Sequence, residues 1–124
     1  MSVAPIDVRF LLHAAEHITG DPQVEDLGPL FAAVARTQAR AMDRDVYGSD
    51  AIKAAALLHT LAKLPCLEFS NLAFAWMSAV AYLQLQGHRL EYQPKVAADL
   101  VRDASAGRVG VSQIARQLRA WTVQ

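Results

Sequence analysis

The chain has 124 residues, 53% of them hydrophobic and only 19% charged, with twelve basic side chains cancelling twelve acidic ones. That length suits one domain, residues 1–124, with a real core. A net charge of zero supplies no field that would draw the chain onto nucleic acid or an anionic membrane surface.

Hydrophobic spacing predicts six helices and no convincing strand. The first spans Val8 to Thr19, with Asp7 as N-cap, Gly20 as stop and an apolar stripe of Val8, Leu11, Leu12, Ala15 and Ile18. The second starts near Leu27, with Asp26 as cap and Pro29 in its first turn, and runs through Leu30, Phe31 and Val34 towards Ala39. Met42 to Ser49 (MDRDVYGS) reads as a loop. Ser49 or Asp50 then caps a third helix, Ala51 to Lys63, apolar almost all round and ended by Pro65.

The fourth helix is expected from Ser70 or Asn71 to Gln86, with Gly87 just beyond its end. Its apolar run, Leu72 to Leu85, is about fourteen residues, short of the roughly twenty a membrane helix needs. It reads as a helix at the centre of a bundle. Pro94 opens a fifth helix ending at Ala106 and Gly107, and Ser112 caps a sixth whose face is Ile114, Ala115, Leu118 and Trp121. The fold class is thus all-α, a compact bundle of about six helices around a central apolar one.

A single cysteine, Cys66, excludes an internal disulfide framework and fits a reducing, cytoplasmic setting. The opening residues MSVAPIDVRF lack the basic and apolar regions of a signal peptide. His13, Glu16 and His17 spell H-x-x-E-H, an inverted zinc-protease pattern. Both histidines project away from the apolar stripe, so solvation is the simpler reading and no metal site is expected. Phe10 projects the same way, and Phe10, His13 and His17 together mark a candidate partner surface. His59, within the apolar third helix, reads as a hydrogen-bonded core histidine. Cys66 reads as a buried structural thiol. Lys95, Arg102, Arg108, Arg116 and Arg119, interspersed with Asp99 and Asp103, read as solvated charges.

The segment LPCLEFSNLAFAW (Leu64 to Trp76) lies between AAALLHTLAK and MSAVAYLQLQGHRL. That frame resembles the Doc branch of the Fic family, the "death on curing" toxins of bacterial toxin–antitoxin pairs. There the slot carries the pattern H-x-F-x-(D/E)-(G/A)-N-(K/G)-R. DLGPLFAAVARTQAR (Asp26 to Arg40), LQLQGHRL (Leu83 to Leu90) and SAGRVGVSQIARQLRAW (Ser105 to Trp121) are similar to further family segments in the same order. The resemblance implies a fold in which a loop and a helix N-terminus hold nucleotide phosphates. The motif histidine takes a proton from a target hydroxyl, an acid holds Mg²⁺, and basic residues neutralise the transferred group. Active relatives phosphorylate or nucleotidylate a protein hydroxyl, on a target such as elongation factor Tu, and are silenced by an antitoxin peptide in a surface groove.

In this chain the histidine slot holds Pro65, the aromatic anchor slot Leu67, the acid slot Phe69 and the small-residue slot Ser70. Asn71 and Trp76 match, and the two basic slots hold Leu72 and Ala73. Sliding the loop by one residue offers Glu68 as an acid. No histidine lies between His59 and His88, and no lysine or arginine between Lys63 and Arg89. The loop LEFSNL is otherwise expected to pack Phe69 inward and cap a helix with Ser70 or Asn71, so that Asn71→Ala would cost about 1 kcal/mol.

The expected function is therefore a non-catalytic Fic/Doc-like protein of toxin–antitoxin type, a pseudoenzyme working by protein–protein contact and needing no cofactor. It would bind an antitoxin-like peptide, draw an antitoxin from an active toxin, or regulate another protein. The alternative is a divergent transferase using ATP, Mg²⁺, Glu68 and Asn71. A small zinc hydrolase is a third, remoter reading. Restoring the motif by Pro65→His, Phe69→Asp, Leu72→Lys and Ala73→Arg is expected to recover nucleotide binding, measured by calorimetry. A folded variant that binds nothing would mean a remodelled loop.

Overall fold

A computed structural model of the chain describes residues 6–123. Met1–Pro5, on which part of the N-terminal reading falls, and Gln124 lie outside the described residues. The order is α1 (Val8–Ala15), α2 (Gly28–Thr37), β1 (Arg40–Ala41), β2 (Arg44–Asp45), α3 (Asp50–Lys63), α4 (Asn71–Leu85), β3 (Arg89–Leu90), α5 (Pro94–Ser105), α6 (Val111–Trp121) and β4 (Thr122–Val123). The expected all-α bundle is present. The strands form two short antiparallel pairs, β1 with β2 and β3 with β4. Two-residue strands leave no alternation to read, which is why the sequence did not announce them.

The helix at the centre is α3, not the Leu72–Leu85 run. It packs against α2, α4, α5 and α6, and Ala54 to Leu58 and Leu61 are wholly buried along it. Its alanines let four neighbours approach closely. The Ser49 hydroxyl caps it by accepting from the Ile52 amide. Lys53 is buried yet keeps its charge satisfied, its Nζ lying 3.0 Å from Asp45 on β2. Asp45 also accepts from Arg40 at 2.6 Å, so one carboxylate fastens the hairpin to the central helix. These two cations, the Lys53 hydrogen bond first, hold the Asp45 carboxyl below its usual range.

Several boundaries differ from the sequence expectation for local reasons. Helix α1 stops at Ala15, and the chain turns through Glu16 to Thr19 while still burying Ile18. Asp7 caps it as expected, accepting from the Phe10 amide. The Asp26 carboxylate accepts from the Gly28 amide two residues on, making a side-chain turn that leads into α2. Helix α6 begins at Val111 rather than after Ser112. Its entry is closed by the Gln113 side chain, which accepts from the Gly110 amide at 2.9 Å. His59 is half-buried, its Nδ1 accepting from Arg36 Nη1 at 2.9 Å. Burial, then the charges of Arg36 and Lys63, push its pKa down.

Helix α4 has two characters. Phe74, Ala75, Ser78, Ala79, Tyr82 and Leu83 face the core. The opposite side carries Trp76, Met77, Val80 and Ala81, half-buried and without a charge. Within the buried face the Ser78 hydroxyl has no hydrogen-bond partner among the described residues. A desolvated hydroxyl left unpaired opposes folding, so Ser78→Ala is expected to stabilise by about 1 kcal/mol. A thermal midpoint that falls in that variant would show that the hydroxyl does bond in solution.

Candidate functional site

The loop between α3 and α4 is built around one side chain. Asn71 is the first residue of α4, and its Oδ1 accepts from the amides of both Cys66 and Leu67 at 2.9 Å. Its Nδ2 donates back to the Leu67 carbonyl at 3.0 Å. The other edge of the loop is sewn to the segment before α2. The amides of Glu25 and Asp26 donate to the Cys66 carbonyl, the Glu68 amide donates to the Gln23 carbonyl, and Val24 bridges Leu67. The Glu68 carboxylate accepts from the Gln23 amide at 3.0 Å, which ties it to the segment before α2.

Other motif positions differ from the expectation. Phe69 does not pack inward. It remains 44% exposed, its ring lying over Gly20, where an added Cβ would meet the ring edge at 3.1 Å. Ser70 makes no side-chain cap and adopts the left-handed conformation at φ 62°, ψ 32°. That conformation suits glycine best, and Ser70 bears the cost of its Cβ there. Asn71 is not a cap either, since its side chain is spent on the loop behind it. Leu67 is buried and Pro65 exposed. Cys66 is buried, and burial followed by the Asp26 charge raises its thiol to about 11. It is held protonated and is no nucleophile at neutral pH.

Leu72 and Ala73, in the first turn of α4, line a pocket of about 370 Å³ against α5. Trp76, Tyr92 and Ala98 complete much of its wall, and Arg102 stands at its edge. Arg102 is solvent-exposed, as its sequence reading as a solvated charge expects, but its place beside the motif was not foreseen. It comes from α5, some thirty residues beyond the motif, and no local spacing connects the two. Lys63, nearer in sequence, sits against Gly107 at the turn between α5 and α6.

Phe10, His13 and His17 come together, as their shared helix face requires, along a groove of about 380 Å³ between α1 and α4. Trp76, Met77 and Val80 form its other wall. Phe10 is half-buried against the core rather than projecting free. The two imidazoles meet edge to face with centroids 5.0 Å apart. His17 Nδ1–H donates to the His13 carbonyl, and His13 Nδ1 lies 3.3 Å from Glu16. Among the described residues no group of three or more His, Cys, Asp or Glu side chains is arranged to hold a metal ion. Trp76 and Tyr92 line both the groove and the pocket, their rings edge to face at 4.8 Å. Also among the described residues, no helix is long and apolar enough to cross a membrane.

No protein-family profile matches the chain. Over 101 residues it is 36% identical to a protein named Toxin Doc from Mycolicibacterium smegmatis, covering 80% of this chain and 78% of that relative. The chain belongs to the Doc family. Three hydrogen bonds on one half-buried amide are more than a cap supplies. Asn71→Ala is therefore expected to cost about 2 kcal/mol rather than one, in chemical denaturation. A loss below about half a kilocalorie would mean that water replaces the clamp.

Proposed function

We propose that this Doc-family chain is a toxin–antitoxin-type protein that works by holding a protein partner, not by transferring phosphate or a nucleotide. The observation that carries this reading is the outer side of α4. Trp76, Met77 and Val80 stand there without a charge, facing Phe10 across the α1–α4 groove. An apolar trough between two helices suits the apolar stripe of an amphipathic segment, of the kind an antitoxin tail would offer. His13 and His17 line it and offer hydrogen-bonding groups. The motif loop supports the same reading by its chemistry. Pro65 cannot accept a proton, Phe69 cannot hold Mg²⁺, and Leu72 and Ala73 cannot neutralise a triphosphate.

A divergent transferase is the second reading. Arg102 at the pocket beside Leu72 and Ala73 favours it, because that position returns a cation to the start of α4. Glu68 would have to leave Gln23 to serve a metal ion.

Two measurements separate the readings. Calorimetry with ATP and Mg²⁺ is expected to show no binding up to millimolar concentration, and sub-millimolar affinity would overturn the non-catalytic reading. For the groove, the product of the adjacent reading frame is to be co-expressed with the chain and the complex quantified. Val80→Glu is expected to weaken that complex tenfold or more, about 1.4 kcal/mol, without lowering thermal stability. A complex indifferent to Val80→Glu would place the partner elsewhere.

A further inference from the structure

The pocket between α4 and α5 lies across the Trp76–Tyr92 ridge from the groove and has a chemistry of its own. About 370 Å³ is the size of a small-molecule site. Its walls are apolar, with Leu72 and Ala73 on α4 and Ala98 on α5, and its two aromatic rings are the largest surfaces it offers. Trp76 donates Nε1–H to the Tyr92 hydroxyl at 3.3 Å, which fixes the two rings edge to face. Trp121 supports them from behind, its ring centroid 5.9 Å from that of Trp76.

Charge enters only at the edge. Arg102 Nη1 donates to Asp99 Oδ1 at 2.8 Å, and Lys95 Nζ lies 3.4 Å from the other oxygen of the same carboxylate. Two cations share one anion, so this rim carries one net positive charge. A triphosphate would bring three or four negative charges against that single surplus, and the walls would desolvate them without replacement. A ligand with a flat apolar body and one anionic group meets both features. Its body stacks against Trp76 and Tyr92 and its anion pairs with Arg102, whose planar guanidinium suits a carboxylate or sulfonate.

The geometry points to a binding site for small aromatic monoanions, formed by Leu72, Ala73, Trp76, Tyr92, Ala98 and Arg102. It shares Trp76 and Tyr92 with the partner groove, and the rest of its lining comes from α4 and α5 alone.

The test uses the full chain and two probes of like shape, 8-anilinonaphthalene-1-sulfonate with one negative charge and uncharged N-phenyl-1-naphthylamine. Fluorescence titration of the sulfonate is expected to saturate at one site, and Arg102→Gln to weaken it about tenfold while leaving the uncharged probe within about twofold. Ala98→Glu, which narrows the mouth and adds a negative charge, is expected to weaken both probes. Val80→Glu, on the groove side, is expected to weaken neither. Sulfonate binding that survives Ala98→Glu, or that is lost in Val80→Glu alone, would overturn the proposal by moving the probe to the groove. Tighter binding of ATP–Mg²⁺ than of the sulfonate, lost in Arg102→Gln, would overturn the ligand class. Because Val80→Glu reports on the groove and Ala98→Glu on the pocket, the failure of one reading leaves the other standing.

Discussion

The Asn71 carboxamide fixes the path of the chain between its two most buried helices. A loop that leaves α3 and enters α4 within a few residues has several amides and carbonyls to satisfy away from water. Asn71 takes two amides and one carbonyl at once. With Cys66 and Leu67 so held, Leu67 plugs the core and Ser70 is left to make the sharp left-handed turn. The start of α4, and with it the placing of Leu72, Ala73 and Trp76, follows from that turn. This gives the asparagine a structural task of its own. It holds backbone, and backbone is needed whether or not a nucleotide is ever bound.

Helix α4 then decides what the surface can do. A helix with one face in the core ordinarily turns charge to water on the other. Here the outer side is apolar and lines two depressions, one against α1 and one against α5. Trp76 and Tyr92 stand between them, tied by a hydrogen bond and backed by Trp121. The result is a strip of half-covered apolar surface crossing the molecule beside the motif loop, with histidines at one end and Arg102 at the other.

The electrostatics of the loop follow from which cations face it and which do not. Lys63 precedes the loop but is turned to Gly107. Arg36 is spent on Tyr47, His59 and Thr60. Glu68, the acid nearest the motif slot, is paired with a backbone amide. What remains is Arg102, half neutralised by Asp99. One surplus positive charge on apolar walls is a different chemical environment from a phosphate cradle.

The sequence by itself determined the helices, because their apolar spacing, caps and stops are local: Asp7, Ser49, Gly87 and Pro94 act on residues a few positions away. It also determined the family frame and the absence of a histidine or cation from Leu64 to Trp76, which can be counted without a structure. The single face of Phe10, His13 and His17 was legible for the same reason, being set by helical period alone. Tertiary structure decided the rest. Only packing could make α3 rather than α4 the centre, since both are apolar and the choice depends on how many neighbours surround each. Only packing could bring Arg102 to Leu72, turn Phe69 outward over Gly20, and engage Asn71 with the loop behind it. Those contacts join residues whose separation in the chain carries no periodic signal, and their geometry exists only once the helices have closed on one another.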